Sequence, residues 1–390
     1  LRPLCVDGLL NEPNRTGEQM SISINGTNGV TFNDGSLQKT SALTGFRNRI
    51  INGDMRIDQR NAGASITQTT ANDFVVDRWS VTGSIASKFT AQRNAGSVTP
   101  PSGYTNYIGI TSLSSYSVGA GDYFRIMQPI EGFNVSDFSF GTASALPITL
   151  SFWVRASITG TYGGAISNAS QVRGYAFTYS VGSSNTWEKK TITVSGDTSG
   201  TWSTDNGVGI YLIIGLGAGS NFSATSGSWL TQNYINTATG ATSVVGTNGA
   251  TFYITGVQLE AGSTATDFER RPIGTELALC QRYLQTWGGN TLYERVAFGY
   301  AVSSVNVEVF LPRFSVPMRT APSLNANSPS NFRVSDPSGS IVCTSISILQ
   351  SAPNSCGILA QVASGLTTYR AMSLDTNNTL SALLSLGAEL

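Results

Sequence analysis

The chain has 390 residues, 40% of them hydrophobic and only 12% charged, with 23 basic residues balancing 23 acidic ones; it exceeds the length at which one core usually stops growing, so two or three domains are expected. Lysine occurs only at Lys39, Lys88, Lys189 and Lys190, no block of positive charge can follow a phosphate backbone, and nucleic acid is not expected as a partner. The chain contains no histidine, which removes Ser-His-Asp and Cys-His triads, histidine zinc sites and histidine general bases together.

Residues 1–19 carry two prolines and several charges without an apolar period, and read as a tail or upstream extension ahead of Met20. No signal-peptide pattern and no long apolar run is present, so membrane insertion and export are not expected. From Ser21 to Ile24 and from Gly29 to Phe32 two short alternating strands flank Asn25-Gly26, with Asn33-Asp34-Gly35 as a second turn, which predicts a β-hairpin segment within residues 1–45. The stretch NGDMRIDQRN, Asn52 to Asn61, reads as an opening strand with Met55 and Ile57 on one face and Asp54, Arg56, Asp58 and Arg60 on the other.

Between about residues 46 and 272 short strands follow one another, clearest at Ile148–Ser157, Arg173–Val181, Trp187–Gly196, Val208–Gly217 and Thr251–Gly262. Gly, Ser and Asn clusters separate them and no repeat is visible, so a β-sandwich of jelly-roll type is expected. A connecting helix is predicted over 273–289. Thr275 would be its N-cap, Glu276 and Arg282 would complement the dipole, and Leu277, Cys280, Leu284 and Trp287 would share a face up to Gly288-Gly289. Residues 290–390 return to β alternation, with a hairpin at Asp336-Pro337-Ser338-Gly339, and predict a C-terminal β-sandwich. The fold class is therefore all-β. Cys5, Cys280, Cys343 and Cys356 show no CxxC spacing and are read as reduced, buried thiols; only Cys343 and Cys356 are placed to meet.

NRIINGDMRIDQRN, VDRWSV (Val76–Val81), VQLEAGSTATDFERRPIGTELALCQRYLQ (Val257–Gln285), VPMRTAPSL (Val316–Leu324), the terminal AEL and the hairpin INGTNGVTFNDGSLQKTSA together resemble tail-fibre proteins of tailed bacteriophages. Residues 52–271 are in addition similar to jelly-roll carbohydrate-binding modules, through NGDM, LSFWVRAS, WEKKTITV and FYITGVQLE. The fibre resemblance implies a homotrimeric adhesin made in the bacterial cytoplasm and carried on the virion. Its N-terminal segment would be held by a phage tail or baseplate protein, and its distal domains would meet host polysaccharide or lipopolysaccharide. The rival readings are a purely structural virion protein and a polysaccharide depolymerase.

Sugar sites use aromatic faces together with amides and carboxylates. Tyr104, Tyr107, Trp202 and Trp229 lie in polar, turn-rich stretches and are the glycan-binding candidates, while Trp79, Trp153 and Trp187 are assigned to the core. The loops at 325–331 and 352–356 compete for receptor contact. A depolymerase needs paired carboxylates, and Asp54 with Asp58 on one strand would stand about 13 Å apart at ~3.3 Å per residue, beyond the roughly 5–9.5 Å of glycosidase chemistry; Glu260 with Asp267 stays open. No catalytic residues are assigned. Carbohydrate-binding modules often hold calcium near an NGD-like start, but Thr255-Gly256 stands where they tend to carry aspartates, so neither metal nor cofactor is expected. Asp54, Arg56, Asp58 and Arg60 are read instead as a structural seam, meeting Glu269 and Arg271 of FERRP where first and last strands come close.

Overall fold

The computed structural model describes residues 46–390 throughout and, before them, only the strand positions Ser23–Asn25, Gly29–Thr31 and Leu37–Gln38. Those three strands form an antiparallel sheet by themselves, with Ser23 opposite Thr31 and Val30 opposite Gln38. The expected hairpin is there with one further strand; residues 1–19, Cys5 among them, lie outside the described residues.

Residues 47–390 form one compact unit with two large cores. The first is a sandwich of a six-stranded and a seven-stranded sheet, between which the chain passes back and forth. Its strands match the predicted ones closely, at Ile148–Ala156, Arg173–Val181, Glu188–Val194, Val208–Ala218 and Thr251–Ala261. Alternation explains the fit. In Val208–Ala218, Ile210, Leu212, Ile214 and Leu216 point into the core and Tyr211, Ile213 and Gly215 point away. Trp79 is fully buried, as expected.

The stretch Asn52–Asn61 is not a strand. Asn52 and Met55 have positive φ (57° and 59°), and the Asn52 side chain closes a turn by donating to Ile57 O (2.8 Å) and accepting from Ile57 N (2.9 Å). It also donates to Asp77 O, while the Asn52 main-chain carbonyl accepts Trp79 Nε1 at 3.0 Å. A buried Asn with this many partners, Asp77 and Trp79 among them from farther along the chain, outcompetes the ladder that alternation alone would favour. The segment still follows the last strand of the sheet, through Arg49 N to Leu259 O and Val257 N to Gly53 O.

The predicted helix is half as long as its periodicity allows. It spans Ile273–Gln281 behind Pro272, and Thr275 does not cap it. Leu284–Trp287 is a strand paired with Leu384–Gly387, which in turn pairs with Ser323–Ala326. Tertiary pairing with the C-terminal strand overrides helical propensity here. Beyond it, where a second sandwich was expected, the strands Arg295–Ala301, Asn306–Leu311, Ser355–Val362, Gly339–Ala352, Phe332–Asp336 and Ala371–Thr376 close, in that spatial order, into a six-stranded antiparallel barrel. The Asp336-Gly339 turn joins a hairpin as predicted. The barrel is filled by residues such as Val307, Val309, Val334, Ile358 and Leu374, and closure leaves it without free edges.

Candidate functional site

Of the glycan candidates, Tyr107 is fully buried; its hydroxyl donates to Ala95 O at 2.6 Å and accepts Val98 N at 2.7 Å, and its ring packs edge-on against Trp187 and Tyr253. That corrects its placement in an exposed loop: Asn94, on the loop opposite, takes the Tyr107 amide and draws the residue inward. Tyr104 is half-buried, between Phe268 (5.4 Å between ring centroids) and the Arg270 guanidinium (4.7 Å). Trp202 and Trp229, 27 residues apart in sequence by number, come together at 5.3 Å with Phe140 between them at 4.9 and 5.5 Å. Both indole N–H groups are engaged internally, Trp202 with Asp197 and Ser199 O and Trp229 with Ser195 O. The pair forms an aromatic end-plate on the core, beside the Arg173–Asp197 ion pair at 2.6 Å.

The seam residues do not share a strand face. Asp54 pairs with Arg56 at 2.6 Å, and Arg56 also donates to Arg271 O. Asp58 accepts the amides of Asn61 and Gly63 and lies 3.6 Å from Arg93. Glu269 accepts the amides of Arg47 and Asn48, and Arg271 reaches Glu269 (3.3 Å), Glu276 (3.4 Å) and Ile50 O (3.1 Å). Arg60 reaches Glu389 at 2.7 Å, a partner that sequence spacing did not indicate. Glu260 is occupied by Gln258 and Thr266. Among the described residues no group of three or more acidic, cysteine or histidine side chains is gathered to hold a metal ion.

A different arrangement stands out on the outer face of the seven-stranded sheet. In Tyr123–Glu131 the residues Phe124, Ile126 and Ile130 enter the core, so Tyr123, Arg125, Met127 and Pro129 face outward. Met127, Ala165, Ala176 and Ile213 make that face apolar, and the segment 222–239 lies over it, burying Ala224, Ile235 and Ala238. Glycine makes the close approach possible: a Cβ on Gly163 would stand 2.5 Å from Thr237 Oγ1, and one on Gly215 2.7 Å from Thr237 Cβ.

Arg125 sits at the rim of this roof, 7% exposed. Its Nη1 donates to Gln171 Oε1 (3.0 Å) and Asn236 Oδ1 (2.9 Å), and its Nε is sealed without a hydrogen-bond partner among the described residues. Among the described residues no carboxylate pairs with it. Burial lowers its pKa, and its ionisable neighbours are the neutral phenols of Tyr123, Tyr211 and Tyr234. The Tyr123 ring centroid is 5.1 Å from its guanidinium carbon, and Phe222 backs that ring at 5.0 Å. Tyr211 is half-buried, its hydroxyl pKa raised by burial and opposed by Arg125. Tyr234 is 49% exposed. Gln171 and Tyr234 both have positive φ (53° and 54°) and are joined by Tyr234 N to Gln171 O at 2.7 Å, a local strain of the kind that collects at ligand clamps. The arrangement gathers three phenols, the Gln171 amide and one cation without a carboxylate partner among the described residues at the rim, with Asn236 buried beneath them.

No protein-family model matches the chain, and no curated protein matches it. Among solved structures, the enzymatically active domain of bacteriophage CBA120 tailspike protein 4 aligns over 55% of this chain and 22% of its own, at 11% identity and a TM-score of 0.29, so this chain spans about a fifth of that domain's length. The family 11 carbohydrate-binding module from Clostridium thermocellum, solved with a β-1,3-1,4-mixed-linked tetrasaccharide, aligns over 53% of this chain and 100% of its own at 10% identity and 0.27. TmCBM61, solved with β-1,4-galactotriose, aligns over 47% and 88% at 10% identity and 0.25.

Proposed function

We propose that the chain is a phage tail-fibre adhesin, carried on the virion as a homotrimer, whose sandwich binds host surface glycan at the rim formed by Arg125, Tyr123, Tyr211 and Tyr234. The observation that carries the glycan reading is Arg125: a buried guanidinium without a carboxylate leaves donors for the hydroxyls or carboxylate of a sugar, beside ring faces that suit its C–H surface. The fibre reading is supported by the sequence motifs from Asn48 to the terminal AEL. Weak contacts on each subunit would add up through high effective concentration. The protein binds rather than cuts in this reading, because Asp54, Asp58 and Glu260 are each occupied by internal partners.

The test is adsorption of purified protein to host cells, with competition by free surface polysaccharide. Binding that the polysaccharide displaces is expected. An absence of cell binding would overturn the adhesin, and release of reducing ends would replace it with the depolymerase. Light scattering checks the trimer: a monomeric mass at working concentration contradicts it.

A further inference from the structure

The barrel carries a belt of outward-facing residues set by strand register. Gln350 lies opposite Gly357, Gly357 opposite Phe310, Phe310 opposite Phe298, Phe298 opposite Ser373, and Ser373 opposite Ser335. Phe298 and Phe310 are 62% and 42% exposed, large values for phenyl rings on a soluble face. Small residues flank them, and the chain is hollow where they do. One cleft of about 230 Å³ opens over Ser373 and Ser335, between Phe298, Arg295 and Pro337. Another of about 380 Å³ opens over Gly357, between Phe310 and Gln350. Two hollows thus stand on either side of one aromatic ridge.

The first hollow has polar groups that the fold does not satisfy. Ser335 Oγ has no partner, and Ser373 Oγ makes only a 3.4 Å contact to Ser335 O. One step along the same face is Asp375, whose side chain is 3% exposed and whose Oδ1 accepts no hydrogen bond. Arg295 and Arg333 flank it across the strands at 3.9 Å each, beyond hydrogen-bonding range. Unpaired buried polar atoms in native proteins ask for a partner, and Ser335 lies in the cleft beside the Phe298 ring, over which the Arg295 guanidinium stands at 5.8 Å.

We infer that this barrel face is a second saccharide site, taking a neutral oligosaccharide of at least two rings laid across the Phe298–Phe310 ridge. One ring would stack against Phe298 over Ser335 and Ser373; the next would cross Phe310 toward Gln350. Each hollow is small against the roughly 300–1,000 Å³ that enclose drug-sized ligands, which fits single rings. The site stands independently of Arg125, since none of its residues belongs to the sandwich.

Methionine methyl NMR on the full chain separates the two sites, because Met372 lines the barrel hollow and Met127 lies under the sandwich roof. The probe is a panel of neutral oligosaccharides of two to four rings built from glucose, galactose, mannose and N-acetylglucosamine. Saturable movement of the Met372 methyl by at least one member is expected, and F298A should weaken it about tenfold, the loss of one stacked face. F310A should weaken the same oligosaccharides as well, since the second ring crosses Phe310. Both rings are exposed, and an unchanged melting curve confirms folding. A Met372 methyl that no member moves, or F298A binding as tightly as the parent, overturns the barrel site; movement of Met127 alone leaves glycan binding with the sandwich only.

Discussion

Arg78 and Glu389, 311 positions apart in the sequence, are ion-paired where the sandwich, the helix and the C-terminal strand meet. Arg78 is 1% exposed, donates also to Pro129 O, and stacks 3.6 Å from the Tyr283 ring centroid. Glu389 also holds Arg60, and its carbonyl accepts Arg319 Nη2 at 2.7 Å. Glu389→Gln should therefore destabilise the chain by roughly 3 kcal/mol, because a buried guanidinium loses its counter-charge. Denaturant unfolding measures this, and Asp336→Asn, which breaks the more exposed Arg370 pair, should cost clearly less.

Acid sensitivity follows from Glu131. Burial pushes its pKa up, but hydrogen bonds from Arg282 Nε (2.8 Å) and Tyr283 Oη (2.7 Å) outweigh burial and hold it below 4.5. A depressed carboxylate stabilises the fold above the unfolded value, and that contribution is lost as pH falls through the folded one. Melting temperature should drop as pH is lowered from 4.5 in the parent, and less steeply in Glu131→Gln, which starts lower at neutral pH. Parallel curves for the two proteins would refute the assignment.

The thiols give a chemical check. Cys280, Cys343 and Cys356 are free and buried. Burial raises all three, Cys343 to about 12 and Cys356 to about 11, so almost no thiolate is present near neutrality. Alkylation of the folded chain at pH 8, read by peptide mapping, should spare these three and label them after unfolding. Cys343 lies opposite Val362, and Cys356 opposite Ser351 and Leu311, so strand register does not pair them with each other.

The roof of the sandwich depends on Gly215. An added Cβ would meet Thr237 at 2.7 Å, and overpacking of this kind costs about 1–3 kcal/mol. Gly215→Ala should speed amide hydrogen exchange across 222–239 while the core strand Ile148–Ala156 stays protected.

Much of this was legible in the sequence, and the misses share a cause. The long strands announce themselves by alternation, which depends only on which face is buried. The Asn52–Asn61 turn and the short helix were misread because each is decided by a partner far along the chain, Asp77 and Trp79 for Asn52 and the strand Leu384–Gly387 for Leu284–Trp287. Trp202 and Trp229, read as exposed-loop residues, pack on the core instead, and their N–H groups go to backbone carbonyls and Asp197. Arg125 is hard to see in the sequence for a simpler reason: it lies within a strand and not in a Gly- or Ser-rich loop. The alternation in YFRIM does place Tyr123 and Arg125 together on the outer face; nothing in it announces Gln171, Asn236 or the absence of an acid.

Calorimetric titration of the full chain with fragments of host surface polysaccharide, for the parent and for Arg125→Gln, tests the central claim most directly. The account predicts saturable binding by the parent and binding at least about tenfold weaker, a loss of some 1.4 kcal/mol, in the folded variant. Equal affinity for the two proteins, or no heat of binding from the parent, would contradict it.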